Sequence, residues 1–196
     1  AVIIDNDGTL HKHEEYLEAG RRAEMKFIAS SIGCFSISEA EKIVMVRRCR
    51  LGRDGKKATL TQAVKSFGIS RSDWDGARES CYDPERFLVR DEALVKAVES
   101  LMGRYRVAIA SNNAKKITIR ALKQLGFGRL LDRLLVIGPE DVCANKADPQ
   151  YFIRTAALLK VKPEACITVG DRRESDGDPA INVGMGSILV SSPEVT

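Results

Sequence analysis

The chain has 196 residues, a formal net charge of +4, 44% hydrophobic and 30% charged residues. These values suit one large domain, or one domain with an insertion, that can bury a core. The positive excess is too small to argue for nucleic acid by itself, and no nucleic-acid partner is expected.

The chain opens on a short apolar run, "AVII", that leads straight into Asp5-Asn6-Asp7-Gly8-Thr9. Such a run is the mark of a strand covered on both faces. Residues 14–90 contain no convincing strand. They contain capping signals instead, Ser38-x-x-Glu41 and Thr59-x-x-Gln62, each ahead of a helix-like pattern. Glycine-containing breaks fall at "SIGCFSIS", "LGRDGKK" and "FGIS". The pattern predicts a helical insertion of about four helices.

Beyond it, helix and strand alternate. Leu94, Val95, Val98, Leu101 and Met102 recur at helical spacing, and "YRVAIA" (105–110) reads as the second strand. In "AKKITIRALKQLG", Ile117, Ala121, Leu122 and Leu125 form the next apolar stripe, with Gly126 as its C-terminal stop. "LLVI" (134–137), the helix "DPQYFIRTAALLK", "ACITV" (165–169) and "SILV" (187–190) follow. This alternation predicts an α/β fold with a Rossmann-like, doubly wound parallel sheet. Its core is residues 1–13 plus 91–196, and residues 14–90 form an inserted α-helical domain.

Five cysteines, at 34, 49, 81, 143 and 166, include no C-x-x-C pair. They indicate neither a disulfide frame nor a zinc site, and a reducing cytoplasm is the expected compartment. No segment reads as a signal peptide or a membrane span, so no membrane partner is expected.

In open α/β sheets, ligands bind outside the carboxyl ends of the strands. Here those ends carry Asp5 and Asp7, then Ser111-Asn112-Asn113, then Gly170-Asp171 with Asp176 five residues on. Lys146 follows the third strand by a short loop. Several carboxylates on one rim would repel and raise each other's pKa unless a cation joined them. Oxygen donors in a chain with only two histidines point to Mg²⁺. Mg²⁺ favours phosphate as its other ligand, and Lys146 with the backbone N–H groups near Ser111 could hold phosphoryl oxygens.

Four stretches, "DNDGTL", "IASNN", "NKADPQYF" and "VGDRRESDGDPAINVGM", closely resemble in order and spacing the four motifs of the haloacid dehalogenase-like hydrolase superfamily. The resemblance covers about 120 residues of core, and the insertion looks like that superfamily's helical cap of the first type. It implies roles. Asp5 matches the nucleophile that forms an aspartyl-phosphate, and Asp7 the general acid/base. Ser111 and the Asn112 backbone match the phosphate-binding pair, and Lys146 the cation that steadies nucleophile and phosphoryl group. Asp171 matches a Mg²⁺ ligand, completed by the Asp5 carboxylate and the Asp7 carbonyl. Asp176 matches the second acid of the last motif, placed behind the direct ligands, with a helix N-cap as its plainer reading. The second aspartate argues against the dehalogenase and phosphonate-cleaving branches. Asp-Gly-Thr, rather than Asp-Gly-Val, leans toward hydrolysis over sugar-phosphate mutation.

The resemblance implies a Mg²⁺-dependent phosphomonoester hydrolase acting on a small phosphorylated metabolite. The alternatives are a phosphomutase of the same superfamily and a non-catalytic protein that binds through its basic insertion. Asn6, Ala147, Arg172 and Arg173 depart from the usual pattern. His11 and His13 read as solvated or hinge histidines outside the site. The basic stretch Arg47–Lys57 reads as a solvated helix end, and Trp74 as core packing within the insertion.

Overall fold

A computed structural model describes residues 1–52 and 57–190; the stretch 53–56 of the basic segment lies outside the described residues. The first strand, β1, is Val2–Asp5. Four helices follow: α1 (Glu14–Ile32), α2 (Ile37–Leu51), α3 (Leu60–Ser66) and α4 (Arg71–Cys81). A short helix α5 (Pro84–Phe87) leads to α6 (Glu92–Met102) and β2 (Val107–Ala110). Then come α7 (Lys115–Leu125), β3 (Leu135–Ile137), α8 (Pro139–Val142) and α9 (Pro149–Leu158). Finally β4 (Ile167–Gly170), α10 (Asp178–Ile181) and β5 (Gly186–Leu189) close the order.

The strands form one parallel sheet in the order β3-β2-β1-β4-β5. Parallel strands need both faces covered, which is why β2 is apolar throughout and β1 is apolar up to Asp5. The core beneath joins Ile3, Ala108, Ile137, Tyr151 and Phe152. Register places the site. Asp5 pairs with Ala110 and Ile4 with Val169, so Asp5, Ser111 and Gly170 leave the sheet at one level.

Local chemistry starts and ends the helices of the core. The Asp91 carboxylate accepts from the Leu94 N–H at the start of α6, and Asp148 accepts from Gln150 at the start of α9. Gly126 ends α7 in the left-handed region, at φ +101°, where a side chain would also meet Arg90.

The chain divides into two compact units, Ala1–His13 with the chain from Pro84 onward, and Glu14–Asp83. The sequence reading put residues 84–90 in the insertion; they pack with the first unit. The Nε and Nη2 of Arg120 on α7 donate to Glu85, at 3.0 and 2.6 Å, and the Phe87 ring meets His13 edge-on. These contacts override the absence of any strand signal in the segment.

Helix α2 starts two residues earlier than its predicted cap. Ser36, not Ser38, accepts from the Glu39 N–H at 3.1 Å, while Glu39 accepts from the Phe35 N–H. Two overlapping Ser-x-x-Glu frames compete here, and the one that satisfies both donors wins. The Thr59–Gln62 capping box forms as predicted.

The second unit is built round Trp74, which packs with Ile28, Val44 and Val64 and donates its indole N–H to Thr61. Beside it Arg78, half-buried, pairs with the buried Glu24 at 2.7 Å. Burial pushes the Arg78 guanidinium down, but the Glu24 charge outweighs it and holds the pKa above its ordinary value. Arg47 lies over the Phe67 ring and the Arg48 Nε donates to the Ala58 carbonyl, so both are tied to their own unit. Trp74→Ala is expected to cost about 3–5 kcal/mol, the usual range for a buried indole. Urea unfolding checks this; a loss below about 1 kcal/mol would show that the indole is not central. Among the described residues, no helix is long and apolar enough to cross a membrane.

Candidate active site

Asp5 ends β1 and is buried. Its neighbours fix it from two sides. The Lys146 ammonium donates to Oδ1, and the Thr9 hydroxyl donates to Oδ2 at 3.1 Å. Lys146 itself is buried and also donates to Asp176 Oδ1. One cation thus bridges two carboxylates that lie 171 positions apart along the chain, counting from Asp5 to Asp176 (176 − 5). Burial pushes the Lys146 pKa down, but the charges of Asp5 and Asp176 prevail and raise it.

Asp5, Asp171 and Asp176 can each offer an oxygen within 4.8 Å of the others. Gly8 and Gly170 make this convergence possible. A Cβ on Gly8, which sits at φ +96°, would collide with the Asp171 carboxylate, and one on Gly170 would collide with Asp176. The cluster holds three acids against one buried ammonium and the exposed Arg172 guanidinium, whose Nε lies 3.7 Å from Asp171 Oδ2. Burial, joined by the Asp176 charge, lifts the Asp5 pKa to about 6 in spite of Lys146. The site is therefore short of positive charge, and its hard oxygen donors fit a divalent cation such as Mg²⁺.

Asp176 occupies a π-type turn, Arg173–Gly177, and does not cap the helix after it; Gly177 holds that position. Its Oδ2 accepts from the Arg172 N–H at 3.2 Å and the Ser175 hydroxyl at 3.0 Å. With Lys146 on Oδ1, both its oxygens already have donors.

Asp7 lies beyond the strand end, and its carboxylate has hydrogen-bond partners of its own. Ser111 and Asn113 donate to Oδ2 at 3.2 and 3.0 Å. Asn6 donates to Oδ1 at 3.1 Å, and His11 Nε2 lies 3.3 Å from the same oxygen. Burial pushes the Asp7 pKa up. The hydrogen bond and charge of His11, aided by Ser111 and Lys146, outweigh it and hold the carboxyl below its ordinary value. The loop after β2 is pinned by Tyr151, whose hydroxyl donates to the carbonyls of Ser111 and Ile137. Asn112 is exposed, and its side-chain oxygen accepts from the Lys146 backbone N–H at 2.9 Å.

The family model of haloacid dehalogenase-like hydrolases matches residues 1–184. The chain belongs to the haloacid dehalogenase-like hydrolase family. No curated protein matches it. Solved structures share the fold of this haloacid dehalogenase-like chain. A HAD phosphatase from Thermococcus onnurineus is 24% identical, with a TM-score of 0.66 over 100% of this chain and 88% of that one. A β-phosphoglucomutase from Clostridium difficile is 20% identical, with a TM-score of 0.57 over 99% and 85%. CbbY from Rhodobacter sphaeroides, in complex with xylulose-(1,5)bisphosphate, is 15% identical, with a TM-score of 0.63 over 97% and 85%.

In this haloacid dehalogenase-like chain the structure gathers Asp5, Lys146 and Asp171 with Asp176, and joins Ser111 to Asp7. Three neighbours of Asp7 and Asp5 had no role in the sequence reading: Asn113 and Thr9, which it placed at strand ends, and His11, which it set outside the site. His11 is buried rather than solvated. Asn6, a departure from the usual pattern, is buried and serves Asp7 as a donor. His13 stands apart, against Phe87.

Proposed function

We propose that the protein hydrolyses phosphate monoesters of small metabolites through an aspartyl-phosphate on Asp5. The observation that carries this reading is the buried Lys146 ammonium bound to Asp5 at the end of β1, with a second acid, Asp7, two residues on. Membership of a hydrolase family and the fold of a phosphatase support it.

Asp5 attacks phosphorus and the ester bond breaks. Asp7 gives a proton to the departing oxygen, then takes one from the water that cleaves the intermediate. The Ser111 hydroxyl and the Asn112 N–H hold phosphoryl oxygens, and Lys146 orients Asp5 and offsets its charge against the phosphoryl group. Asp5, Asp171 and the Asp7 carbonyl would hold Mg²⁺, with Asp176 behind them steadying Lys146. Mg²⁺ there supplies the charge that lets an anionic nucleophile approach an anionic phosphoryl group. Asp7 enters the first step protonated, and a bound phosphate dianion favours that form.

The domain assignment belongs to the same proposal. Glu14–Asp83 serves as the cap that selects the substrate, and the remainder as the catalytic core. The unpaired cysteines at 34, 49, 81, 143 and 166 fit a reducing cytoplasm.

Phosphate release from a panel of small esters, with Mg²⁺ and with chelator, tests the reading. Release that needs the metal is the expected result, and the ranking of esters names the substrate class. Isomerised sugar phosphate with little free phosphate would replace hydrolysis by mutation. A folded, Mg²⁺-loaded protein that releases nothing and isomerises nothing would end the proposal.

A further inference from the structure

We propose that His11 is a positioning residue for Asp7: its ring N–H holds Oδ1 and so leaves Oδ2 as the oxygen that carries the catalytic proton. This rests on the phosphatase reading above.

The imidazole is placed by backbone. After the tight loop at Gly8 the chain returns alongside Asp7, with the Gly8 N–H donating to the His11 carbonyl at 2.8 Å. The His11 N–H reaches back to the Asn6 carbonyl at 3.4 Å. The residue is 8% exposed, and its Nε2 lies 3.3 Å from Asp7 Oδ1. The same Nε2 lies 3.4 Å from Asn6 Nδ2, a donor already turned to Oδ1; the shorter approach is to the carboxylate oxygen, which only accepts, and the ring hydrogen is accordingly assigned to Nε2. Asn6 Nδ2 donates to the same oxygen.

The two oxygens of Asp7 are therefore not equivalent. The donors on Oδ1, Asn6 and His11, are buried and belong to the same short loop as Asp7 itself. The donors on Oδ2, Ser111 and Asn113, belong to the loop after β2 that would take the phosphoryl group. When the Ser111 hydroxyl turns to a phosphoryl oxygen, Oδ2 loses a donor while Oδ1 keeps both. A proton on Oδ1 would face two N–H groups; a proton on Oδ2 does not. As the Asp5–phosphorus bond forms and the ester P–O bond breaks, that proton passes from Oδ2 to the leaving oxygen. Asp7 is left anionic, with Oδ2 free to accept a proton from water.

The role has a signature that packing alone lacks. A poor leaving group, such as the alkoxide of glycerol phosphate, needs the proton; nitrophenolate leaves without it. His11→Phe keeps the ring volume and removes the donor. His11→Leu does the same with a smaller side chain, should the phenylalanine not be accommodated. His11→Gln can place an amide N–H where Nε2 stands. We expect His11→Phe to lower kcat/KM for glycerol phosphate at least about 10-fold more than for p-nitrophenyl phosphate. His11→Gln is expected to restore most of that difference. Equal losses on both esters, or a glutamine variant as impaired as the phenylalanine, would overturn the positioning role and leave the phosphatase reading intact. Wild-type protein that releases phosphate from no ester of the panel would fail the phosphatase reading itself, before any variant is measured.

Discussion

Asp5→Asn is expected to lower kcat on the order of 10⁴-fold or more while the protein stays folded. The amide is isosteric, so it keeps the place at the end of β1: its oxygen still accepts from Lys146, and its NH2 group donates to the Thr9 hydroxyl in place of accepting from it. What it loses is the anionic oxygen that would bond to phosphorus. Stability should change little. Burial already lifts the Asp5 pKa to about 6, so a neutral side chain suits the position, and Lys146 retains Asp176 as its counter-ion. Single-turnover phosphate release beside a thermal melt makes the measurement. A variant that folds and turns over at the wild-type rate would remove Asp5 as nucleophile.

Lys146→Met should do more damage to the fold than any other single change at this site. Methionine fills much of the same volume but withdraws the cation from between Asp5 and Asp176, two buried carboxylates. Removing one side of a buried ion pair costs about 3–5 kcal/mol. In a domain of this size that corresponds to a fall of roughly 10 °C in melting temperature. Adding Asp176→Asn to the variant should return part of the loss, because it removes one of the stranded charges. The sign with pH follows from Lys146. Its folded pKa is raised above the ordinary 10.5, so the stabilisation is fully present below that value. It fades as pH rises through the folded pKa, and the gap between wild type and variant closes in strongly alkaline solution. A melt unchanged at neutral pH would mean that Lys146 is not the counter-ion of this cluster.

Much of the core is legible in the sequence because parallel strands covered on both faces leave continuous apolar runs. "VAIA" and "LVI" can hardly be read otherwise, and β1 announces itself before Asp5. Strand ends then point to the rim, which is how Asp5, Ser111, Lys146 and Asp171 come to be considered together. What lies between strand ends is harder. Asp176 faces Lys146 only because a π-type turn re-aims it, and no local spacing rule announces that turn. His11 sits in "HKH", a polar tripeptide that gives no hint of burial; a backbone return after Gly8 puts it inside. Ser36 and Ser38 each begin a Ser-x-x-Glu frame, and only the third dimension shows which hydroxyl is free to cap. The boundary at Asp83 is set by α5 holding Arg120 and His13, contacts between residues far apart in the chain.

The strand order has a consequence for how the site fails. Among the described residues β3 and β5 are the edges, and β1 is hydrogen-bonded along both sides, to β2 and β4. Edge strands can fray in brief local openings, whereas a central strand opens only when the sheet comes apart. The strand that delivers Asp5 is thereby insulated from the breathing of the periphery. The loops that carry Ser111 and Asp171 emerge from its immediate neighbours, so the carboxylates and the hydroxyl stay assembled through such openings, whereas Lys146, reached through edge strand β3, is the one member of the site exposed to them.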